Sequence, residues 1–157
     1  MDRPLHGRVT VVAEHLSDPR NLERLEKVCG AFGAALRLVR AEASPRSVAQ
    51  GLEGLTAVAY GTALEGNDLY ATAFGHGHVA LVFGQERHGL SQEALKLLPR
   101  RLRIPMLGMA QSLNVAASAA VVLTEAGKSL EERLSSQLES VMKLYLHIIS
   151  SIFFILI

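Results

Sequence analysis

The sequence predicts an α/β domain built on a mainly parallel sheet. Apolar runs of strand length alternate along the chain with stretches of helical periodicity, a pattern typical of a parallel sheet covered by helices. The runs are residues 9–13, 35–39, 56–60, 79–83 and 102–106. Ligands in such sheets bind outside the carboxyl ends of the strands, so a functional site is expected in the loops that follow these runs.

The first helix is predicted over residues 20–32. Asp18 suits the N-cap, where a side-chain oxygen accepts a backbone N–H, and Pro19 suits the first helical position. Gly33 is a suitable C-terminal stop because glycine adopts the left-handed conformation easily. The apolar side chains of this helix recur at helical spacing, namely Leu22, Leu25, Val28, Cys29 and Phe32.

Three later stretches also predict helices. One covers residues 45–52, capped by Ser44, and another covers residues 91–97, where Ser91 suits the start. The third, residues 114–126, is rich in alanine, the strongest helix former, and follows a polar Ser-x-Asn sequence.

The composition indicates one domain of an oligomeric protein. A chain of 157 residues is long enough for one domain with a hydrophobic core. A hydrophobic content of 49% and a mean hydropathy of +0.24 are high for a soluble protein and indicate surface buried in an oligomer. The first residues show no apolar signal-peptide segment, and a single cysteine suits a reducing compartment, so a cytoplasmic location is expected.

Charge and metal-ligand content exclude other classes of function. The net charge of +1 gives no overall basic surface, so RNA binding would depend on local basic patches. Judged by charge alone, each of these patches is interpreted as a solvated face of the protein. Cys29 cannot form an internal disulfide and is interpreted as a small buried residue. Cysteine and histidine pairs at zinc spacing are lacking, so no metal is expected. The basic patches are Arg100, Arg101 and Arg103, then Arg87 with His88, then Arg20, Arg24 and Lys27.

Three loops that follow predicted strands combine glycine with polar residues. Residues 103–115 contain Ile-Pro-Met-Leu-Gly-Met-Ala-Gln-Ser-Leu-Asn, and residues 81–91 end in Gly-Gln-Glu-Arg-His-Gly-Leu-Ser. Residues 17–22 contain Asp-Pro-Arg-Asn and are followed at 29–33 by Cys-Gly-Ala-Phe-Gly. Taken in chain order (residues 17–33, 81–91 and 103–115), they resemble the first, second and third signature motifs of the SpoU/TrmH class of SPOUT RNA methyltransferases.

The resemblance implies a topology and an assembly that periodicity alone would not propose, since knots are nearly absent from proteins. It implies a deep C-terminal trefoil knot (the α/β-knot), made by threading residues 104–113 through the loop after the fourth strand. It also implies a homodimer with the active site near the subunit interface.

The resemblance further implies S-adenosylmethionine as cofactor. Gly84 is interpreted as a glycine that lets the backbone approach the cofactor. Backbone groups after the fifth strand would hold the adenine and ribose, and Thr62 and Ala63 would line the pocket. The cofactor-binding residues predicted after that strand are Ile104, Met106, Gly108 and Leu113.

The polar motif residues are the predicted catalytic set. Asn21 would orient the ribose or the catalytic base, and Glu86 would order the second motif. Ser112 and Asn114 would contact RNA phosphate and hold the third motif. Each also has a simpler interpretation, as a turn residue, a solvated glutamate or a helix cap, and a capping role is compatible with a functional one.

Lys27 is the main departure from the family. The position six residues after the motif-one Asn carries an Arg in the family, proposed to activate the 2′-hydroxyl. Lysine lacks the planar guanidinium fork but loses its proton more easily. Lys27 is therefore interpreted either as a base in its own right or as a mark of lost activity, which leaves the prediction of a cofactor pocket unchanged. Arg24, one turn earlier, is an alternative.

The end of the chain differs in character from the rest. Residues 1–139 are assigned to the methyltransferase domain, and residues 140–157 to an apolar tail that is too short for a membrane span of roughly 20 residues. The tail is interpreted as a dimer-covering helix, a membrane-seeking end or the translation of a shifted reading frame, and the last, non-native origin is favoured.

The predicted function is methylation of RNA ribose 2′-hydroxyls, with transfer RNA preferred (guanosine-2′-O) and ribosomal RNA as an alternative substrate. A non-catalytic SPOUT-fold RNA-binding protein that keeps the cofactor pocket is the second hypothesis. A general α/β nucleotide-binding protein is the third.

Overall fold

The computed structural model describes residues 5–39, 47–75, 77–85, 88–108 and 112–155. The elements in chain order are β1 (Val9–Glu14), α1 (Pro19–Phe32), β2 (Ala35–Val39), α2 (Ser47–Leu52), β3 (Ala57–Asp68), a 3-10 turn (Leu69–Ala71), β4 (His78–Phe83), α3 (Gln92–Leu97), β5 (Arg101–Arg103) and α4 (Val115–Ile155).

The five strands form one sheet in the order β2-β1-β4-β3-β5, and every neighbouring pair is parallel. This confirms the predicted parallel α/β architecture. Because all strands run the same way, their carboxyl ends lie at one edge of the sheet, where the loops of the three motifs begin.

Helices cover both faces of the sheet, and the alternation of side chains along β1 shows how. Val11 points into a core that includes Leu25 of α1 and Leu123 of α4. Val12, the next residue, points into a second core with Val48 of α2 and Ala94 of α3. Central strands buried on both faces explain the continuous apolar runs in the sequence.

The predicted boundaries of α1 are confirmed by its caps. The Asp18 carboxylate accepts the backbone N–H of Arg20 at 2.9 Å, Pro19 occupies the first turn, and Gly33 closes the helix at φ 72°. Hydrogen bonds from the side chain and backbone of Arg20 hold the pKa of Asp18 below its ordinary value. The predicted cap Ser44 lies outside the described residues.

Two strands differ in length from the prediction. β3 continues to Asp68 instead of ending at residue 60, with a shift in its pairing to β5 between Thr62 and Asn67. Gly66 permits this, since a Cβ there would lie 2.9 Å from the backbone of Arg101. β5 ends at Arg103 instead of residue 106, because Pro105 has no N–H for the ladder.

The last helix is much longer than the predicted 114–126. α4 runs for 41 residues, and Leu130 is the last buried side chain among those whose burial the structure describes, up to residue 146 with 145 excepted. The sequence beyond Gly127 has no proline or glycine and contains six leucines and three glutamates, which are good helix formers and favour continuation of the helix. Within the described residues, no helix is long and apolar enough to span a membrane.

Candidate functional site

A cavity of about 520 Å³ opens at the carboxyl ends of β4 and β5, beside residues 62–65 in the middle of β3. Its walls come from residues 62–65 of β3, where the pairing with β5 shifts, and from the loop after β4, the segment after β5 and the first turns of α4. The second motif, the third motif and the predicted pocket residues Thr62 and Ala63 therefore converge on one cavity, as the sheet geometry predicts.

Most of the predicted cofactor-binding residues line this cavity. The lining includes Thr62, Ala63, Gly84, Ile104, Met106 and Leu113. Gly108 does not line the cavity. The binding roles of these residues stay predictions.

The loop after β4 (residues 84–91, of which 86 and 87 lie outside the described part) is a tight turn. Gln85 and Gly89 exchange two backbone hydrogen bonds, each 2.9 Å long. A Cβ on Gly84 would lie 2.0 Å from the carbonyl carbon of Gly89. The loop's own backbone therefore already excludes any side chain at Gly84, and the interpretation of this glycine as a point of cofactor approach stays a prediction. The predicted catalytic residue Glu86 lies outside the described residues.

Asn21 and Asn114 bring the first and third motifs together. The amide of Asn114 donates to the side-chain oxygen of Asn21 at 2.7 Å, and the Asn114 oxygen accepts the N–H of Ala116 at 2.9 Å. Asn114 is thus both the cap of α4 and a partner of Asn21, which is 8% exposed. Ser112, two residues before Asn114, lines the cavity.

Lys27 lies away from the cavity. Its Nζ donates to Oε1 of Glu23 at 2.6 Å, one turn earlier in α1, and its side chain is 74% exposed. This hydrogen bond lowers the pKa of Glu23. The structure therefore does not join Lys27 to the other predicted catalytic residues, and Arg24 is also exposed.

Sequence reasoning missed two charged residues near the site. Glu14 is completely buried at the end of β1, and its Oε2 accepts the backbone N–H of Ser91 at 2.9 Å. Arg101 lines the cavity and donates from Nη2 to the carbonyl of Leu95 at 2.9 Å. An acidic residue at the end of a buried apolar strand was a signal for the first, whereas Arg101 was interpreted only as part of a basic patch.

Other candidate chemistry is not supported at this site. Burial raises the pKa of the Cys29 thiol to about 11, which keeps it protonated and agrees with a packing role. Across the described part of the chain, no group of three or more His, Cys, Asp or Glu side chains is arranged to hold a metal ion.

Residues 46–124 match the model of the SpoU rRNA Methylase family, about half of the chain. A tRNA (guanosine(18)-2'-O)-methyltransferase of Thermus thermophilus is 57% identical over 47 residues, which are 30% of this chain and 24% of the relative. The matched stretch thus spans about a quarter of that relative's length.

Solved structures extend the likeness over most of the fold. One, from work on 2-OH methylation of C/U34 on tRNA, has a TM-score of 0.68 and 28% identity, and covers 79% of this chain and 91% of its own. An AdoMet-bound rRNA methyltransferase from Sinorhizobium meliloti has a TM-score of 0.65 and 25% identity, covering 81% of this chain and 58% of that one.

Proposed function

Because this chain belongs to the SpoU rRNA methylase family, we propose that it transfers a methyl group from S-adenosylmethionine to a ribose 2′-hydroxyl of RNA. The observation that carries the proposal is the convergence of the second and third motifs on one cavity, with Gly84, Ile104 and Leu113 in its wall. The family match alone does not say that a usable site is assembled.

The cavity suits the proposed cofactor in size and lining. About 520 Å³ is within the range of small-molecule sites. Apolar walls at Leu90, Ile104 and Leu113 suit an adenine ring, and Thr62 and Gln85 offer polar groups for its ribose and amino-acid part. An AdoMet-bound solved structure of 25% identity supports the same assignment.

S-adenosylmethionine, when bound, supplies a methyl group that is already activated for displacement. The chain's own task is to position the ribose hydroxyl and to let its proton leave. In the proposal, Ser112 contacts the RNA at the cavity, and the Asn21–Asn114 hydrogen bond holds the third motif against α1. Glu86 keeps its proposed role in ordering the second motif.

The preferred substrate is proposed to be transfer RNA, modified at a guanosine. The support is the tRNA (guanosine(18)-2'-O)-methyltransferase of Thermus thermophilus, whose 57% identity covers only 47 residues. Ribosomal RNA is the alternative. A cytoplasmic location belongs to the same proposal.

A C-terminal trefoil knot and a homodimer complete the proposal. The loop after β4 and the segment after β5 meet in the wall of one cavity, as threading would require. Leucines beside this cavity are exposed, Leu64 to 72% and Leu107 to 102%. Apolar side chains so exposed next to a site suit a surface that a second copy covers.

The direct test is methyl transfer. The full chain is incubated with labelled S-adenosylmethionine and either transfer or ribosomal RNA, and the RNA is digested to nucleosides. We expect 2′-O-methylguanosine from transfer RNA. Cofactor binding without any methylated nucleoside from either RNA would contradict catalysis.

The position of Lys27 favours a second candidate, an RNA-binding protein of this fold that binds the cofactor without turnover. Lys27 is paired with Glu23 on an exposed face, so the family's activating position does not reach the cavity in this structure. Methylated product from the assay above would exclude this candidate.

A further inference from the structure

We propose that Glu14 is a positioning residue for the cofactor site: its buried carboxylate anchors the end of the loop after β4 and thereby sets the affinity of the cavity for its ligand. The inference rests on the proposed function for the identity of that ligand. The anchoring itself depends only on the geometry of β1 and the loop.

The environment of Glu14 indicates a specific role. Its side chain is 0% exposed, and burying a carboxylate is unfavourable unless hydrogen bonds compensate. The hydrogen bond that the described residues show for it comes from the backbone N–H of Ser91, at 2.9 Å to Oε2. Oε1 lies 3.6 Å from Nε2 of His15, within ion-pair distance but too far for a hydrogen bond, and it has no hydrogen-bond partner among the described residues.

Glu14 completes a closure that the preceding residue of β1 begins. Ala13 pairs with Phe83 at the end of β4, immediately before the loop starts. Glu14 then holds Ser91, where the loop ends and α3 starts. Two consecutive residues of one strand therefore fix both ends of the loop.

The loop needs such an anchor because it forms much of the cavity wall. Gly84, Gln85, His88, Gly89 and Leu90 all line the cavity, whereas Glu14 does not. The bonds between Gln85 and Gly89 close the turn on itself but do not tie it to the sheet. Without the bond to Ser91, the far side of the wall loses its polar connection to β1 and keeps only the apolar packing of Leu90 in the core that contains Val12.

If Glu14 had a purely structural role, its loss would affect only the stability of the fold. Thr10 provides the matched control for that case. Thr10 is 2% exposed on the same strand, and its hydroxyl bonds to His78, away from the loop. Loss of either polar contact would lower the melting temperature. Only loss of the Glu14 contact would alter the cavity.

The first experiment compares S-adenosylhomocysteine binding by calorimetry, with melting temperatures, for wild type, Glu14→Ala, Glu14→Gln and Thr10→Val. A lost hydrogen bond to a charged group corresponds to an affinity loss of about tenfold, expected for Glu14→Ala. Glu14→Gln keeps an oxygen acceptor and should stay within about threefold, and Thr10→Val within about twofold. Equal losses in Glu14→Gln and Glu14→Ala, or unchanged affinity in Glu14→Ala, would overturn the inference.

The second experiment needs no ligand. Amide hydrogen exchange in the loop is measured in the cofactor-free proteins, and Glu14→Ala should speed exchange at Gln85, Gly89 and Ser91 relative to the strands, whereas Thr10→Val should not. If wild type fails to bind S-adenosylhomocysteine, the proposed function fails. The exchange measurement still shows whether Glu14 anchors the loop. Where Glu14→Ala does not fold, Ser91→Pro replaces it, because proline removes the N–H that Glu14 accepts and Ser91 already has a suitable φ of −62°. Ser91→Ala is the control, since it removes only the hydroxyl that caps α3.

Discussion

Asn114 donates a hydrogen bond to Asn21 across 93 positions of sequence, at 2.7 Å between the two side chains. Asn21 belongs to the first turns of α1, and Asn114 precedes α4. The bond joins two motifs that arise on different elements. It also gives Asn114 two tasks, since its oxygen accepts the N–H of Ala116.

The two tasks of Asn114 can be separated by substitution. Asn114→Ala removes both bonds and should cost about 1 kcal/mol of stability through the lost cap, with a large loss of methyl transfer. Asn114→Asp keeps the cap acceptor but removes the donor to Asn21, so stability should be nearly retained while transfer falls. Chemical denaturation and the methylation assay are measured together. Asp68→Ala, which removes the cap of the 3-10 turn, is the control, and equal transfer in Asn114→Asp and wild type would contradict a role for the pair.

Gly84 should tolerate no side chain at all. A Cβ would lie 2.0 Å from the Gly89 backbone, so even Gly84→Ala should open the loop and abolish binding of S-adenosylhomocysteine in calorimetry. Gly127→Ala on α4, away from the cavity, is the matched control, since a Cβ there would make only an ordinary contact, at 3.7 Å from the Leu5 side chain. The assignment of the cavity would be wrong if Gly84→Ala bound as tightly as wild type.

The sheet was predictable because its central strands carry continuous apolar runs. β1 and β4 are buried on both faces, which leaves a strong signal in the sequence. The second half of β3 was not predictable, since Glu65, Gly66 and Asn67 are poor strand formers. Their conformation is imposed by pairing with β5, which only the tertiary structure supplies.

The site was predictable to the extent that its residues follow strands. Gly84 and Ile104 come directly after β4 and β5, and strand ends converge in a parallel sheet. Lys27 lies in helix α1, where the direction of a side chain depends on its angular position around the helix axis. Six residues after Asn21, it is rotated by about 120° around the axis from that side chain, so motif spacing alone could not place it at the cavity. Glu14 was missed because the bond from Ser91 spans 77 positions.

The chain should form a homodimer through the surface beside the cavity. Leu107→Asp places a charge on the most exposed of the leucines there. At a protein concentration of about 10⁻⁵ M, within the range of specific association, the mass measured by light scattering should shift from dimer towards monomer. Leu38→Asp is the control, an exposed leucine of the edge strand β2. A monomeric wild type at that concentration would count against the dimer and against a site completed by the partner.

The tail should be dispensable for cofactor binding. Leu138, Val141 and Leu144 are each about 60% exposed on α4, beyond Leu130, which is 3% exposed. Removing residues 140–157 should therefore improve solubility and leave affinity for S-adenosylhomocysteine unchanged. Removal from residue 127 onwards also deletes Leu130 and should destabilise the fold. A large loss of affinity with the shorter deletion would show that the tail contacts the cavity in solution.

Substitution of Lys27 tests whether this chain works by the mechanism proposed for its family. In the structure its Nζ is held by Glu23 at 2.6 Å on an exposed face. If Lys27 reaches the site when RNA is bound, it must first leave this partner, so Glu23→Gln should raise the transfer rate. Lys27→Ala should then lower the rate by about 10²-fold, the scale of general-base loss.

Lys27→Arg tests the family's arrangement directly, since arginine restores the planar fork. It should preserve or raise transfer, and restored transfer from an inactive wild type would identify a lapsed enzyme with an intact scaffold. Lys128→Ala, which breaks a similar exposed pair with Glu125 on α4, is the control for surface charge. Methylation that is the same in wild type and Lys27→Ala would remove Lys27 from the mechanism. Arg24, three residues after Asn21 and about 60° from it around the helix, would then be the next residue to substitute.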